Sequence, residues 1–265
     1  MATLVTFHAH PDDESIGCGG VMRKAADEGH RVVLIVATRG EHGEVPEGFL
    51  DAGEQLWERR VRETQACADI LGVQRLEFLG YQDSGMMGEP TNDLPGSFWT
   101  ADVEQAAQKL ALILQQENAD VLTIYDDHGG YGHPDHIQVH RVGKRAAEIA
   151  GTGRVYQAAM NRDYMRNGME AFAAEAKAAG IQVPDVDGEQ SNFGKPETEI
   201  TGRVDVTAFT AVKRAAMRAH ASQISEDSFF LAMPEPAFAY SFGVEWFIRE
   251  GQGPGITETD LMADL

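Results

Sequence analysis

Leu4-Val5-Thr6-Phe7 runs directly into His8-Ala9-His10-Pro11-Asp12-Asp13-Glu14-Ser15-Ile16-Gly17-Cys18-Gly19-Gly20, and this junction decides the fold. The first four residues form a short apolar run of β type. Beyond the polar motif, Ile16 to Gly29 reads as a helix: Val21, Met22, Ala25 and Ala26 line up at helical spacing, and Gly29 is a stop signal. Arg31 to Thr38 then carries Val32-Val33-Leu34-Ile35-Val36, the near-continuous run of a strand covered on both faces. Strand, helix and strand in this order make a parallel βαβ crossover. The expectation is an α/β fold with a Rossmann-like, mostly parallel sheet and helices on both faces.

The pattern extends outward. Glu54 to Leu71 reads as an amphipathic helix, Arg75 to Leu79 as a strand, Asp102 to Glu117 as a helix and Val121 to Tyr125 as a fourth strand. A second polar motif, Tyr131-Gly132-His133-Pro134-Asp135-His136, follows that strand, and Asp135 to Ala150 is helical. After Gly151 the periodicity weakens. Val155 to Met160 and Arg203 to Val206 read as strands, Glu170 to Ala179 and Ala208 to Ala219 as helices, and 183–199 as loop. Phe238 to Ile248, aromatic and β-branched, reads as a closing strand. We expect one domain over residues 1–250 with a C-terminal elaboration, and an acidic, mobile tail over 251–265. Two long polar loops, 39–53 and 80–100, follow parallel strands and are placed to frame a substrate.

Lys plus Arg number 22 and Asp plus Glu 42, for a net charge of −20. Tracking a phosphate backbone needs a basic face, so nucleic acid is excluded as a partner. Docking on anionic lipid is excluded on the same ground. No apolar run reaches the roughly 20 residues of a membrane span. The first residues lead straight into a strand, without the basic start of a signal peptide. Cys18 and Cys67 are the only cysteines. No disulfide framework is implied, and a cytoplasmic location is expected.

The two motifs carry the chemistry. Each follows a strand end, where ligands bind in open α/β sheets. His10 and Asp13 lie three apart at a strand-to-helix turn, with Pro11 fixing the backbone between them. An imidazole from the second motif would complete a set of three ligands and leave a fourth position for water, as in hydrolytic zinc sites. His136 is the best candidate for it. Its spacing from His133 and His140 would let either share its helical face. Asp12, beside ligand Asp13, is placed to act as general base. His133, if protonated, would stabilise an oxyanion, with Asp135 holding its ring. Asp12 and Asp135 are also good helix N-caps, and the two uses are compatible. The glycines at 17, 19 and 20 do not match the dinucleotide fingerprint, and Asp12, Asp13 and Glu14 would repel a pyrophosphate. Close packing explains them better. Cys18 has no evident base and reads as a small buried residue.

Ala9 to Glu14 and His133 to His136 resemble the Ala-His-Pro-Asp-Asp-Glu and His-Pro-Asp-His motifs of the PIG-L/LmbE-type metal-dependent deacetylases. The likeness covers most of residues 3–150 and extends more loosely to His220-Ala221-Ser222-Gln223. His8-Ala9-His10 and the run from His128 to His133 bring it closest to the mycothiol-pathway members, the GlcNAc-inositol deacetylase and the mycothiol S-conjugate amidase. The resemblance implies His10, Asp13 and His136 as ligands to Zn2+, or Fe2+. It implies Asp12 as base, His133 supported by Asp135 as oxyanion partner, and Tyr131 as an aid at the substrate carbonyl. It also implies Glu44, Arg60 and Asp83 as substrate contacts.

The reading is hydrolysis of an N-acetyl group on a GlcNAc-type amino sugar, a small-molecule partner. The alternatives are an amidase acting on a bulkier amide such as a thiol conjugate, a metal phosphoesterase, and a non-catalytic sugar binder. A phosphoesterase usually needs two metals, and too few further ligands are evident. A binder would have no use for Asp12.

Overall fold

The computed structural model describes residues 1–178 and 193–265. Residues 183–192 of the loop read over 183–199 lie outside them. Five parallel strands form the body of the sheet: β1 (Thr3–His8), β2 (Arg31–Val36), β3 (Arg75–Phe78), β4 (Val121–Tyr125) and β5 (Arg154–Ala159). The order is β3-β2-β1-β4-β5, continued by β7 (Val244–Arg249) and β6 (Gly202–Asp205), both in antiparallel pairings. The chain steps outward from β1 to β2 and β3, then returns to the other side of β1 as β4. That reversal makes the β1/β4 boundary a topological switch point, and its carboxyl end is where a ligand crevice opens.

The sheet separates two apolar cores. One lies under α4 (Val103–Glu117) and α6 (Pro134–Ala150), and takes Val5, Phe7, Val33 and Ile35 from the strands. The other takes Leu4, Val32, Leu34 and Val36, and lies under α2 (Gly19–Asp27), α3 (Leu56–Leu71) and α8 (Thr210–Ala219). The alternation along β1 and β2 is the period of a pleated strand. Both faces are apolar because both are covered.

Four local readings change. The helix expected from Ile16 to Gly29 is two pieces, α1 (Asp13–Gly17) and α2, broken at Cys18 (φ −134°, ψ 4°). The close packing expected of the glycines is met at Gly20, where a Cβ would lie 2.5 Å from Val206 Cγ2. The Gly20 and Val21 N–H groups at the start of α2 donate to Glu245, at 2.7 and 2.8 Å. A carboxylate of the protein itself occupies the place where a dinucleotide phosphate would sit.

The strand expected from Phe238 to Ile248 is a helix, α9 (Glu235–Phe242), followed by β7. Pro234 precedes the helix and Gly243 ends it, so punctuation outweighs the β-propensity of the aromatics. The helix read over Glu170–Ala179 begins earlier, as α7 (Arg162–Ala178). The stretch 251–265, expected as an acidic, mobile tail, makes contacts with the rest of the fold. Thr257 and Glu258 donate their N–H groups to the Thr201 carbonyl, and Leu261 and Met262 are buried in the second core. Two apolar residues in an acidic stretch are enough to dock it. Among the described residues, no helix is long and apolar enough to cross a membrane.

Candidate metal and hydrolytic site

His8 ends β1 and Tyr125 ends β4, so the two motifs emerge side by side at the switch point. The first turns sharply: Asp12 has φ 108°, a left-handed value costly for a non-glycine residue. The second passes through α5 (Gly129–Gly132), whose first two glycines have φ of 65° and 75°. At Gly129 a Cβ would stand 2.5 Å from His136 Cβ. Only glycine lets this loop close over the His136 backbone.

The Asp13 carboxylate stands beside a ring nitrogen of each of two histidines. Asp13 Oδ2 is 3.4 Å from His10 Nδ1 and 3.4 Å from His136 Nε2. Metal–ligand bonds of about 2.1 Å in a tetrahedron give a ligand–ligand edge of about 3.4 Å. His136 Nε2 is buried with no hydrogen-bond partner. The surroundings are anionic as well: Asp12, Asp13, Asp83 and Asp135 crowd together, with Arg60 the nearby guanidinium. Buried negative charge of this density calls for a cation. Burial works against a charge on His10. Asp83, Asp13 and Asp135 outweigh it and hold the ring well above the usual histidine range. By donor type, spacing and charge, the residues fit a divalent metal.

Two other groupings are close but fit less well. His10, His133 and His136 bring ring nitrogens within 4.8 Å of one another. However, His133 Nδ1 accepts the Asp135 N–H at 3.1 Å, so the neutral ring keeps its proton on Nε2 and is a donor there. Asp83 and Asp135 approach His10 at Nε2, 3.4 and 3.2 Å away, the ring nitrogen turned from Asp13. With a cation in place of the Nδ1 proton, they would hold the remaining proton on Nε2, the usual service of carboxylates behind a metal-binding histidine.

That geometry changes two expected roles. Asp135 holds the His133 ring with its backbone N–H and not, as expected, with its carboxylate. Its carboxylate is fully buried and accepts from the Ser84 N–H at 2.9 Å, from Ser84 Oγ, and from His10. Nor is His133 readily protonated: burial and then the neighbouring His10 and His136 push it down to about 3. His133 is therefore a neutral Nε2–H donor. Neither Asp12 nor Asp135 uses its side chain as a helix cap; His133 caps α6 instead.

The expected substrate contacts divide. Glu44, Arg60, Asp83 and Tyr131 all line one cavity of about 810 Å3, with the metal-site residues at one end. Glu44 and Tyr131 are exposed, and Tyr131 lies 5.0 Å from His136, ring to ring. Arg60 is buried and committed internally: Nη1 donates to the Gly40 carbonyl at 2.9 Å, Nη2 to that of Pro11 at 2.5 Å, and Nη2 is 3.5 Å from Asp12 Oδ2. Asp83 is spent on His10 and on the His42 and Gly85 N–H groups. Beyond the polar end, the cavity wall is methionine and aromatic: Met160, Met169, Phe172, Phe230, Tyr240 and Trp246.

Two contributors went unread in the sequence. Tyr125 stacks on His136 at 4.5 Å, and its hydroxyl meets His8 Nδ1 at 2.9 Å. Ser84 locks Asp135. Ser84 stands in an Asp-Ser-Gly turn, a signal of geometry though not of a partner 51 residues away. Cys18 is fully buried, with its thiol pushed upward by burial and by Glu245, which ends any reading of it as a nucleophile.

The family model described as GlcNAc-PI de-N-acetylase, PIG-L, matches residues 5–147. A curated relative from Acidothermus cellulolyticus, a 1D-myo-inositol 2-acetamido-2-deoxy-alpha-D-glucopyranoside deacetylase, is 42% identical over 260 residues, covering 94% of this chain and 88% of that one. The solved N,N'-diacetylchitobiose deacetylase from Pyrococcus horikoshii superposes with a TM-score of 0.58 at 23% identity, over 93% of this chain and 83% of that one. A 4-carboxy-2-hydroxymuconate hydratase from Pseudomonas putida KT2440 superposes as well, with a TM-score of 0.59 at 18% identity, covering 98% and 99%. Likeness of fold at that level does not select a chemistry.

Proposed function

This chain belongs to the PIG-L family, and from that premise we propose that it is a metal-dependent hydrolase removing the N-acetyl group from a GlcNAc-type amino sugar, with an inositol glycoside of GlcNAc as the first substrate to try. The observation that carries the reading is the 3.4 Å spacing of His10 Nδ1 and His136 Nε2 about Asp13 Oδ2, with Asp12 and His133 at the same end of the cavity. His10, Asp13 and His136 would hold the cation. The mixed nitrogen and oxygen donor set suits zinc, with ferrous iron the other candidate.

When bound, the cation supplies a Lewis acid for the acyl carbonyl and favours ionisation of water. The rest falls to side chains. Asp12 takes a proton from the attacking water and returns it to the departing amine, so that water and amide become acetic acid and a free amine. Arg60, 3.5 Å from Asp12 Oδ2, keeps that carboxylate turned toward the cavity. His133 donates its Nε2–H to the oxyanion of the tetrahedral intermediate, which needs no protonated imidazole. Tyr131, exposed at the cavity mouth, adds a second donor at the carbonyl. Glu44 meets the sugar hydroxyls.

One observation favours a second reading. The methionine and aromatic wall suits an apolar substituent better than a bare sugar, as in an amidase acting on a thiol conjugate. Both readings are tested on one panel: N-acetyl amino sugars, with and without an inositol aglycone, beside amides carrying larger acyl groups, each scored by free amine released. Metal-dependent release from the acetyl sugars is expected. Release from the larger amides alone would select the second reading, and release from none would defeat both.

A further inference from the structure

The run His220-Ala221-Ser222-Gln223, just past α8, has no part in the mechanism above, yet two of its side chains connect toward Asp12 by separate routes and a third holds the neighbouring 39–53 loop. His220 Nε2 is 2.6 Å from Glu14 Oε1, and both side chains are fully buried. The other Glu14 oxygen accepts the N–H of Asp12 at 3.0 Å. The donor belongs to the residue whose φ is 108°, a conformation that persists only where its surroundings enforce it. Ser222 donates its N–H and Oγ–H to the two oxygens of Glu63, at 2.9 and 2.6 Å. Glu63 stands three residues from Arg60 on α3, on the same face, and Arg60 in turn holds the Pro11 carbonyl and flanks Asp12. Gln223 Nε2 donates to the Glu44 carbonyl at 3.0 Å. Its Oε1 would be 2.4 Å from a Cβ at Gly43, so loop and side chain are in close contact.

We propose that His220 is a positioning residue for the general base. Through Glu14 it holds the Asp12 backbone in its left-handed turn, and Ser222 and Gln223 extend the same brace to the Arg60 helix and the 39–53 loop. His220 touches no reacting atom. The assignment rests on the reading of Asp12 as base. A base displaced by about 1 Å can lose roughly 10²-fold in rate, while a neighbouring metal site and substrate pocket stay as they were.

The test is a double-mutant cycle in the metal-loaded enzyme. His220→Gln keeps an N–H donor within reach of Glu14, whereas the amide of His220→Asn falls short by about 1.5 Å, the length of one bond. Expected for His220→Asn is a kcat loss of about 30- to 100-fold, KM within about twofold and unchanged metal content, with His220→Gln recovering most of the rate. In an Asp12→Asn background, His220→Asn should cost no more than about twofold, because a base already absent cannot be misplaced. Equal losses in both backgrounds would overturn the proposal, as would a wild-type kcat in His220→Asn. Full activity in Asp12→Asn alone would instead defeat the reading of Asp12 as base. If His220→Asn does not fold, Ser222→Ala carries the test: it removes one hydrogen bond to Glu63 on the Arg60 helix and should lower kcat severalfold at near-constant KM, but not in an Asp12→Asn background, and an unchanged kcat counts against the brace.

Discussion

Asp135 was expected beside His133 and is found behind His10, and the two positions differ in what its removal does. Its Oδ2 accepts from the Ser84 N–H at 2.9 Å and lies 3.2 Å from His10 Nε2. In Asp135→Asn, the amide oxygen can take that position while the NH2 turns to Ser84 Oγ, which already accepts the Trp99 N–H. The contact to His10 survives but loses its charge. A hydrogen bond to a charged group contributes about 1.5–3 kcal/mol and a neutral one about 0.5–1.5, so the loss is about 1–1.5 kcal/mol. That weakens metal binding about tenfold. Asp135→Ala removes the contact altogether and leaves Asp83 alone at Nε2, for a loss nearer the 100-fold end seen for such partners, ~10–100-fold. Competition against a chromophoric chelator measures the affinity, and kcat is read separately at saturating metal. The expected result is weakened affinity, with most of the rate recovered once the site is filled. Unchanged affinity in Asp135→Ala with a depressed kcat would refute the reasoning and return Asp135 to the His133 ring.

Asp12→Asn should keep the metal while kcat falls by about 10²–10⁴, the usual worth of a general base, and asparagine tolerates φ 108° well enough to keep the turn. Asp13→Asn should lose metal first and regain part of its activity at high metal; equal metal loss in the two, by elemental analysis, would mean their roles are exchanged. Burial, Arg60, Asp13, His220 and Glu14 together bring the Asp12 carboxyl to about 6. The base works ionised, so kcat/KM should fall as pH drops through about 6, or somewhat lower with the cation in place. His133, pushed down to about 3, stays neutral across the working range, so His133→Ala should lower the rate without moving that limb of the profile. Gly129→Ala forces a Cβ to within 2.5 Å of His136 Cβ at φ 65°, and should cost about 1–2 kcal/mol of stability together with metal affinity; an unchanged Tm and metal affinity would show that the loop yields.

The parallel half of the sheet was legible because each strand carries its own signal. Val32 to Val36 and Val121 to Tyr125 are short apolar runs closed by polar turns, and the helices between them have clean periodicity. The antiparallel end was not. Phe238 to Phe242 have the composition of a strand, and only Pro234 and Gly243 announce the helix. Leu261 and Met262 are too few to stand out from an acidic stretch, though a sheet with an uncovered patch needs no more. At the site, residue types were readable and partnerships were not. The proposed ligands His10, Asp13 and His136 stand out in the sequence by chemistry and by their place after strands. Nothing local says that Asp135 faces Ser84, or that Arg60 turns back on Pro11, because those pairings are made by loops closing across the crevice.

The pairing of β1 with β4 on one flank and β2 on the other bears on how the protein is made. From the end of β1 to the start of β4 lie the 112 residues from 9 to 120. Translation at about 5–20 residues per second leaves β1 without its second neighbour for roughly 6–22 seconds. In that interval β1 and β2 can pair, but one edge of a strand whose six residues are all buried in the finished fold lies open, a template for pairing with another nascent chain. His10 and Asp13 have meanwhile emerged without His136, so only two of the three proposed ligands are available to a metal. Metal capture should therefore coincide with closure of the sheet. A pulse of metal during synthesis would report when β4 has docked, and chains stalled before residue 121 should be both metal-free and prone to aggregate.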